Sequence, residues 1–560
     1  MAASESTPRS NPVPDQRGAN LFTTDPELAS LLRVYLPADL LAHLTPRFEA
    51  LGAEAGARLD ELAAIADRNP PTLVERTRTG VDRQRIEKHP AYVEMERRAF
   101  GEYALAAISH RDDVLGWRGF MPPIVKYALT FLFVQAEFGL CCPVSMTDSL
   151  ARTLKRYGAR DLVERHLPQL TSLDLDALAQ GAMFMTEQGA GSDVAATATR
   201  ARLDPQVQGA FLLDGEKWFC SNPDAALAMV LARIDGAPAG MSGVSLFLLP
   251  RTLENGEPNR YRILRLKDKL GTRSMASGEI RLEGARAYLV GEAGRGFAQM
   301  ADMVNNSRLS NGVRAAGLMR RAVSEALFVA RERVAFGKRL IDLPLMRRQL
   351  AKLVVPAEQA RTMMFQAADA LARADRGEPG AYPLLRILTP LVKFRACRDA
   401  RRVTGDAMEV RGGCGYIEEW VEPRLVRDAH LGSIWEGTSN IVALDVIRAV
   451  RRERSFDALE ALWRRQLAET RIDDALRSTL NDAIVRTHRL VDAASAAESL
   501  ARRAASALYH LTTAVAMLWE AERIGTRRRA DLARLVLRHR LLPIDPLDTT
   551  VDADEARILS

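Results

Sequence analysis

Residues 409–440, EVRGGCGYIEEWVEPRLVRDAHLGSIWEGTSN, bring together a glycine cluster, an acidic and aromatic middle, and a carboxylate set ahead of an apolar run. Gly412, Gly413 and Gly415 lack a Cβ and tolerate positive φ, so the backbone there can approach a ligand closely. Thr438, Ser439 and Asn440 are N-cap residue types placed before Ile441, Leu444, Asp445 and Arg448, which predicts a helix start at that point. Glu436 then lies just outside a helix N-terminus, beside Gly437 and behind the Trp435 indole. A carboxylate in that place serves as a general base or simply complements the helix dipole, and local physics does not choose between the two.

The rest of the chain sets the frame. Its 560 residues exceed what one core organises and predict three or four domains. Hydrophobic residues at 47% and charged residues at 27% are those of an ordinary globular protein. A net charge of +7 spread over this length gives only a mild polyanion habit. The cysteines (Cys141, Cys142, Cys220, Cys397, Cys414) are odd in number and show no CxxC spacing. The histidines show no HxxxH or HExxH spacing, so neither a disulfide framework nor a metal site is expected. The polar lead MAASESTPRSNPVPDQRGAN has no apolar segment of a secretory signal and reads as disordered over residues 1–20. The longest apolar stretch, 124–146, is broken by Lys126 and Glu137, so no membrane span and a cytoplasmic location are expected.

From Pro26 to Leu170 the pattern is mostly helical. Leu28, Leu31, Leu32 and Tyr35 share a face before Pro37, and Tyr103, Leu105 and Ile108 suit a second one. Near Gly181 the period changes. Phe211–Trp218 (FLLDGEKW) reads as strand, Asp-Gly turn, strand. Further short strands are predicted at 227–232, 244–249 and 280–288. Met185–Asp193 (MTEQGAGSD) joins glycines with the Thr186 and Ser192 hydroxyls, a set able to hydrogen-bond a flat heterocycle or a phosphate, and equally an ordinary turn. It is not GxGxxG, which disfavours a nicotinamide fold. Lys217–Asn222 (KWFCSN) places an indole and a hydroxyl near one strand end. Helices are expected again beyond Glu292, with long ones near 345–373 and 384–408.

Taken in order, MTEQGAGSD, GEKWFCSN, RVAFGK (333–338), GGCGY, the PRLVRDA segment and SIWEGTSN resemble the signature segments of the acyl-CoA dehydrogenase family. LFTTDPEL (21–28), RNPP (68–71), HPAY (89–92) and the long C-terminal extension resemble its AidB-like, alkylation-response branch. The fold this implies is multidomain α+β: an N-terminal helical domain (21–181), a middle β-barrel or sandwich domain (182–290), a C-terminal four-helix bundle (291–450) and an appended helical, Arg-rich domain (451–560).

The resemblance further implies FAD as cofactor and α,β-dehydrogenation of an acyl-CoA, with Glu436 removing the α-proton. Met183, Met185, Thr186, Gly191 and Ser192 would line the flavin and substrate, with Phe219, Cys220 and Ser221 against the ring from the other side. Ser192 and Arg308 would touch the acyl-CoA. Arg333 and Phe336 would reach the cofactor of a neighbouring subunit, and Gly412, Gly413, Trp435, Gly437, Thr438 and Asn440 complete the cofactor-binding set. A homotetramer, and an electron-transfer flavoprotein or other electron acceptor, follow by the same resemblance. Two positions depart from the family pattern. Ser307 stands where some branches place the catalytic glutamate, and Glu409 where many relatives carry glutamine.

After Val450 every basic residue is Arg or His. Arg527, Arg528, Arg529, Arg538 and Arg540 form a cluster that either neutralises duplex phosphates or lies on a solvated or interface face. The acidic tail (Asp545, Asp548, Asp552, Asp554, Glu555) offers internal partners. Because the AidB-like branch is associated with duplex DNA, a DNA-protecting protein with a structural flavin stands as the second functional class. A flavin oxidase or monooxygenase on the same scaffold is a third, with Glu436 arguing against the nitroalkane-oxidising relatives that use aspartate.

Overall fold

The computed structural model describes residues 13–543, 547, 549 and 552–559. The first helices, Pro26–Tyr35, Ala38–Gly56 and Arg58–Arg68, bury Leu28, Leu31, Leu32, Leu44, Phe48 and Leu51 as their 3–4 spacing requires. A two-stranded hairpin, Thr72–Arg76 with Asp82–Glu87, interrupts the expected helical run. Tyr103, Leu105 and Ile108 are buried, but in a turn-rich stretch rather than along a helix face. The predicted disordered lead needs correction from residue 13 onward. Gln16 is buried and donates to Ser324 Oγ at 3.0 Å, Gly18 N–H reaches Gly56 O, and Pro14 O accepts from Arg411. Polar residues order here because a buried helix supplies their partners, which composition does not reveal. Residues 1–12 lie outside the described set.

The middle domain spans seven strands in one sheet. Leu227–Ile234 pairs antiparallel with Val244–Pro250, which pairs with Ser277–Leu289, which pairs with Ala210–Ser221. That strand pairs with Arg200–Leu203, which returns to Leu227–Ile234 in parallel, so the sheet closes on itself. Gly181–Phe184 and Tyr261–Leu266 are added outside this ring. The expected Asp-Gly hairpin is absent: Ala210–Ser221 runs through as one strand against Ser277–Leu289, with register shifts after Leu213 and Lys217. Gly215 has φ 149°, and a Cβ there would meet Thr199 Oγ1 at 2.8 Å, so the glycine admits a neighbouring strand rather than a turn.

The helices Gly296–Glu332, Pro344–Asp375, Ala381–Arg411 and Ser439–Glu453 form the bundle. Helix Ala501–Ile524 buries Leu508, Leu511, Val515 and Leu518 and packs across the bundle and onto Pro26–Tyr35. Among the described residues, no helix is long and apolar enough to cross a membrane.

One joint positions the site. The segment Leu270–Met275, leaving the middle domain, is pinned between two buried acids. Thr272 N–H donates to Asp428 Oδ1 at 2.6 Å, and Ser274 Oγ donates to Glu137 Oε1 at 2.8 Å. Burial, reinforced by Glu137, pushes the Asp428 carboxyl up to about 7, while the nearby Arg424 pulls the other way. The folded state therefore retains a proton that the unfolded chain releases near pH 4. Stability is lost as pH rises from there to about 7. Asp428→Asn keeps the acceptor for Thr272 and is expected to raise the melting temperature above pH 7 with little change near pH 4. A pH-independent difference in melting scans would show that Asp428 is not the titrating group.

Candidate active site

Glu436 is built into a strained turn between the helices Glu422–Gly432 and Ser439–Glu453. Its φ is 56° and that of Gly437 is 98°, conformations that persist only where surroundings impose them. Three buried side chains do so. Arg308 Nε donates to the Glu436 carbonyl at 2.9 Å, Lys393 Nζ donates to the Gly437 carbonyl at 2.7 Å, and Ser307 Oγ donates to Glu436 Oε1 at 3.0 Å. Arg308 is in turn held by Asp445 at 2.7 Å, which Arg386 shares.

Although the residue as a whole keeps some exposure, Oε2 of Glu436 is sealed from solvent and has no hydrogen-bond partner among the described residues. Its backbone N–H donates no hydrogen bond among the described residues. Burial raises the carboxyl above the ordinary carboxylate range, and the Ser307 bond and the cations Arg308, Lys393 and Arg314 only partly offset this. A carboxylate with a raised pKa and an open lone pair, beside a free N–H, is suited to take a proton from carbon while the N–H steadies a developing oxyanion.

The β-domain motifs converge on the same place. Trp218 N–H donates to Thr186 O at 2.7 Å, tying the loop after Gly181–Phe184 to the strand end. Glu187 holds that loop's shape through a buried ion pair with Lys217 at 2.6 Å and bonds to Ala198 N–H and Thr199. Gly191 and Ser192 are exposed, and Met183, Met185 and Thr186 are half-buried. Phe219 stands outward at 61% exposure with φ 48°, an apolar ring presented to solvent at a strand end. Ser221 faces Cys142, and the Cys142 thiol is raised by burial among Arg314, Glu436 and Ser221. Trp435 stacks on Phe138 with centroids 5.8 Å apart and donates its Nε1–H to Asn311.

A second cluster forms where the 333–338 segment meets the glycine turn. Arg333 Nη1 donates to Arg411 O at 3.3 Å, and Gly412, at φ 73°, ends the helix Ala381–Arg411 beside it. Phe336 is 91% exposed. A cleft of about 600 Å³ bounded by Arg165, His166, Asn222 and Pro250–Glu254 includes neither cluster, so cavity size does not locate the site.

The family descriptions "Acyl-CoA dehydrogenase, C-terminal domain" and "Acyl-CoA dehydrogenase, middle domain" match residues 294–451 and 182–285, and "Adaptive response protein AidB N-terminal domain" matches 11–177. The chain is 33% identical to acyl-CoA dehydrogenase family member 11 of Caenorhabditis elegans, covering 77% of this chain and 70% of that protein. It is 33% identical to AidB of Escherichia coli, covering 70% and 71%. The chain belongs to the acyl-CoA dehydrogenase family. A solved structure of ACDH-11 from Caenorhabditis elegans in complex with C11-CoA superposes with a TM-score of 0.89 at 28% identity, covering 97% of this chain and 95% of that one.

Members of the acyl-CoA dehydrogenase family bind FAD, and they are oxidoreductases. The residues present fit a flat aromatic group. Phe219 offers a largely exposed ring with the Lys267 ammonium 4.6 Å from its centroid, the 185–193 loop offers exposed backbone and hydroxyls, and the Glu436 carboxylate retains an open position. Cys220 turns inward: its side chain is buried in the β-domain core, so only its backbone faces the site. Thr438 and Asn440 are exposed beyond the turn, and Thr438 makes no side-chain cap bond to the helix it precedes.

Sequence reasoning passed over Lys393, Asn311, Arg314, Phe138 and Cys142. Asn311 and Arg314 were detectable in principle, at four and seven residues from Ser307 on one helix face.

The arginine face proposed for DNA is corrected. Arg529 is wholly buried, bound to Glu520 and Glu358. Arg528 reaches Ile558 O and lies near Glu27, and Arg538 pairs with Asp552 and Asp554. Arg540 is half-buried, with its guanidinium pulled below its usual value by burial, and Arg527 is exposed but paired with Asp531. The acidic tail supplies the partners of Arg538, because helical packing brings 552–554 back onto it, while Arg528 and Arg529 find theirs on other helices and Arg527 on its own. Asp545 and Asp548 lie outside the described residues.

Proposed function

We propose that this chain catalyses FAD-dependent α,β-dehydrogenation of an acyl-CoA thioester with Glu436 as the base. The observation that supports this most is the sealed, unpartnered Oε2 of Glu436 beside a free backbone N–H, facing the β-domain motifs through Cys142. FAD, when bound, supplies the acceptor for the β-hydride. Glu436 takes the α-proton on Oε2, and its N–H donates to the thioester carbonyl oxygen as charge develops there. Ser307 holds Oε1 so that Oε2 is the free oxygen, and Arg308 and Lys393 fix the turn. Met183, Met185, Thr186, Gly191, Ser192, Phe219, Ser221 and Trp435 would hold the flavin ring and the thioester. Arg333, Phe336, Gly412 and Gly413 would hold the cofactor's diphosphate end in a neighbouring copy, since no contact joins them to Glu436 within one chain among the described residues.

Exposed Phe336, Leu345, Tyr416 and Ile417 near that second cluster support a homo-oligomer, a tetramer by the family habit. Light scattering of the flavin-loaded protein should give a multiple of 61.8 kDa. Electrons would leave to an electron-transfer flavoprotein or a similar acceptor.

The central experiment is anaerobic titration of the flavoprotein with acyl-CoAs, following loss of the flavin absorbance. Absence of bleaching with any thioester would refute the proposal. Ser307→Ala removes a bond that lowers the Glu436 pKa, so the rising limb of rate against pH should move to higher pH with a modest loss at the plateau. An unmoved limb would show that Ser307 does not tune the base.

A further inference from the structure

Beyond Glu436 the helix Gly296–Glu332 carries a buried arginine whose side-chain neighbour is the Cys142 thiol rather than a paired carboxylate. Arg314 is 1% exposed, yet no carboxylate among the described residues lies within ion-pair distance, and its Nη1 has no partner. Its Nε makes only a long contact of 3.4 Å to Ser310 O. The guanidinium lies over the Trp435 ring at 4.6 Å and the Phe138 ring at 5.3 Å, a stacking that leaves the in-plane donors free. Asn311, wholly buried one turn earlier, accepts from Trp435 but leaves its Nδ2 donors unused.

A buried cation without a counter-charge is strongly unfavourable, and so are unmade bonds of a buried amide. Glu436 acts on Arg314 through space, but it is shared with Arg308 and Lys393. Asp445 serves Arg308, Arg386 and Arg448, Glu453 also binds Arg386, and Lys393 donates to the Gly437 carbonyl and lies near Cys397. The site holds an excess of buried positive charge. Asn311 and Arg314 lie on the order of 6 and 10 Å along the helix from Ser307, on the same face.

We propose that the acyl group accepted here ends in a carboxylate, which pairs with the Arg314 fork and the Asn311 amide while the thioester end lies at Glu436. This rests on the thioester reading above and names its substrate class: short dicarboxylyl-CoA, on the order of four to six carbons from the spacing. Planar bidentate pairing with carboxylate is what an unengaged guanidinium offers, and stacking on Trp435 and Phe138 would hold the fork in register. A purely aliphatic chain would leave both groups desolvated and unpaired.

The test is calorimetric binding to the flavin-loaded protein of length-matched CoA thioesters: butanoyl against succinyl, pentanoyl against glutaryl, hexanoyl against adipyl. At one length or more the dicarboxylyl form should bind at least about tenfold tighter. Arg314→Leu should abolish that preference. Arg314→Lys, which keeps the charge and loses the fork, should retain part of it. Equal or weaker binding of every dicarboxylyl thioester to the unaltered protein overturns the inference, whether or not the variants fold. Anaerobic bleaching run in parallel separates the two readings. Selective binding with no bleaching would refute dehydrogenation and leave the carboxylate site standing. Bleaching by the monocarboxylic forms alone would do the reverse.

Discussion

Replacing Glu436 with glutamine is expected to slow thioester-driven bleaching of the flavin by about 10²–10⁴-fold while leaving flavin content unchanged. Glutamine keeps the shape of the side chain and can still accept from Ser307, so the turn held by Arg308 and Lys393 should persist. What disappears is the only atom placed to take the α-proton, since Ser307 occupies the position from which an alternative carboxylate would act. In the unaltered protein burial raises the Glu436 pKa, so the base form is populated only above that raised value. The rate should rise with pH through it, and in Glu436→Gln this limb should vanish along with the rate. Glu436→Asp shortens the reach by one methylene and should cost about a hundredfold through misplacement alone. A Glu436→Gln protein that bleaches at full rate would remove the base from the mechanism, and with it the functional meaning of the strained turn.

Arg529→Ala is expected to destabilise the fold by about 3–5 kcal/mol, the usual cost of leaving a buried carboxylate without its cation. Arg529 donates to Glu520 at 2.5 Å and to Glu358 at 3.2 Å, and also to Thr362. Glu520 accepts from Tyr35 at 2.7 Å and from Thr362, while Glu358 and Asp25 are bound by Arg361. The helix Pro26–Tyr35, the bundle helix Pro344–Asp375 and the helices Ala501–Ile524 and Arg527–Val536 are thereby joined through one dry network. The arginines hold the Glu358 carboxyl below its ordinary range, so its contribution is present above about pH 4.5 and is lost as pH falls towards the depressed value. The penalty of Arg529→Ala should accordingly shrink in acid, where the orphaned carboxylates take up protons. Glu520→Gln combined with Arg529→Met should recover part of the loss, because a neutral pair has less to desolvate. A change in unfolding free energy from urea titration of less than about 1 kcal/mol would mean that water reaches this network, and that the C-terminal helices are only loosely attached.

The same arginine illustrates where reading the chain stops. A run such as Arg527–Arg529 looks alike in sequence whether it faces phosphate, solvent or a buried acid. Of the two carboxylates that settle the matter for Arg529, Glu520 is nine residues away on another helix and Glu358 is 171 residues away. The DG pair at 214–215 misled for the opposite reason: a local turn signal was overruled by a strand pairing that needed a residue without Cβ at that point.

Local pattern alone determined the helical beginning, the strands near 227, 244 and 280, the helix start after Thr438, and the motif order that names the family, because periodicity and capping act over a few residues. Tertiary structure alone decided that the sheet closes into a barrel, that Ser307 and Lys393 attend Glu436, that Arg314 is buried with no ion-pair partner among the described residues, and that Arg529 points inward. Each of these depends on which distant group desolvates a charge or fills its hydrogen bonds. That energy belongs to a pair brought together by folding, and neither member shows it alone.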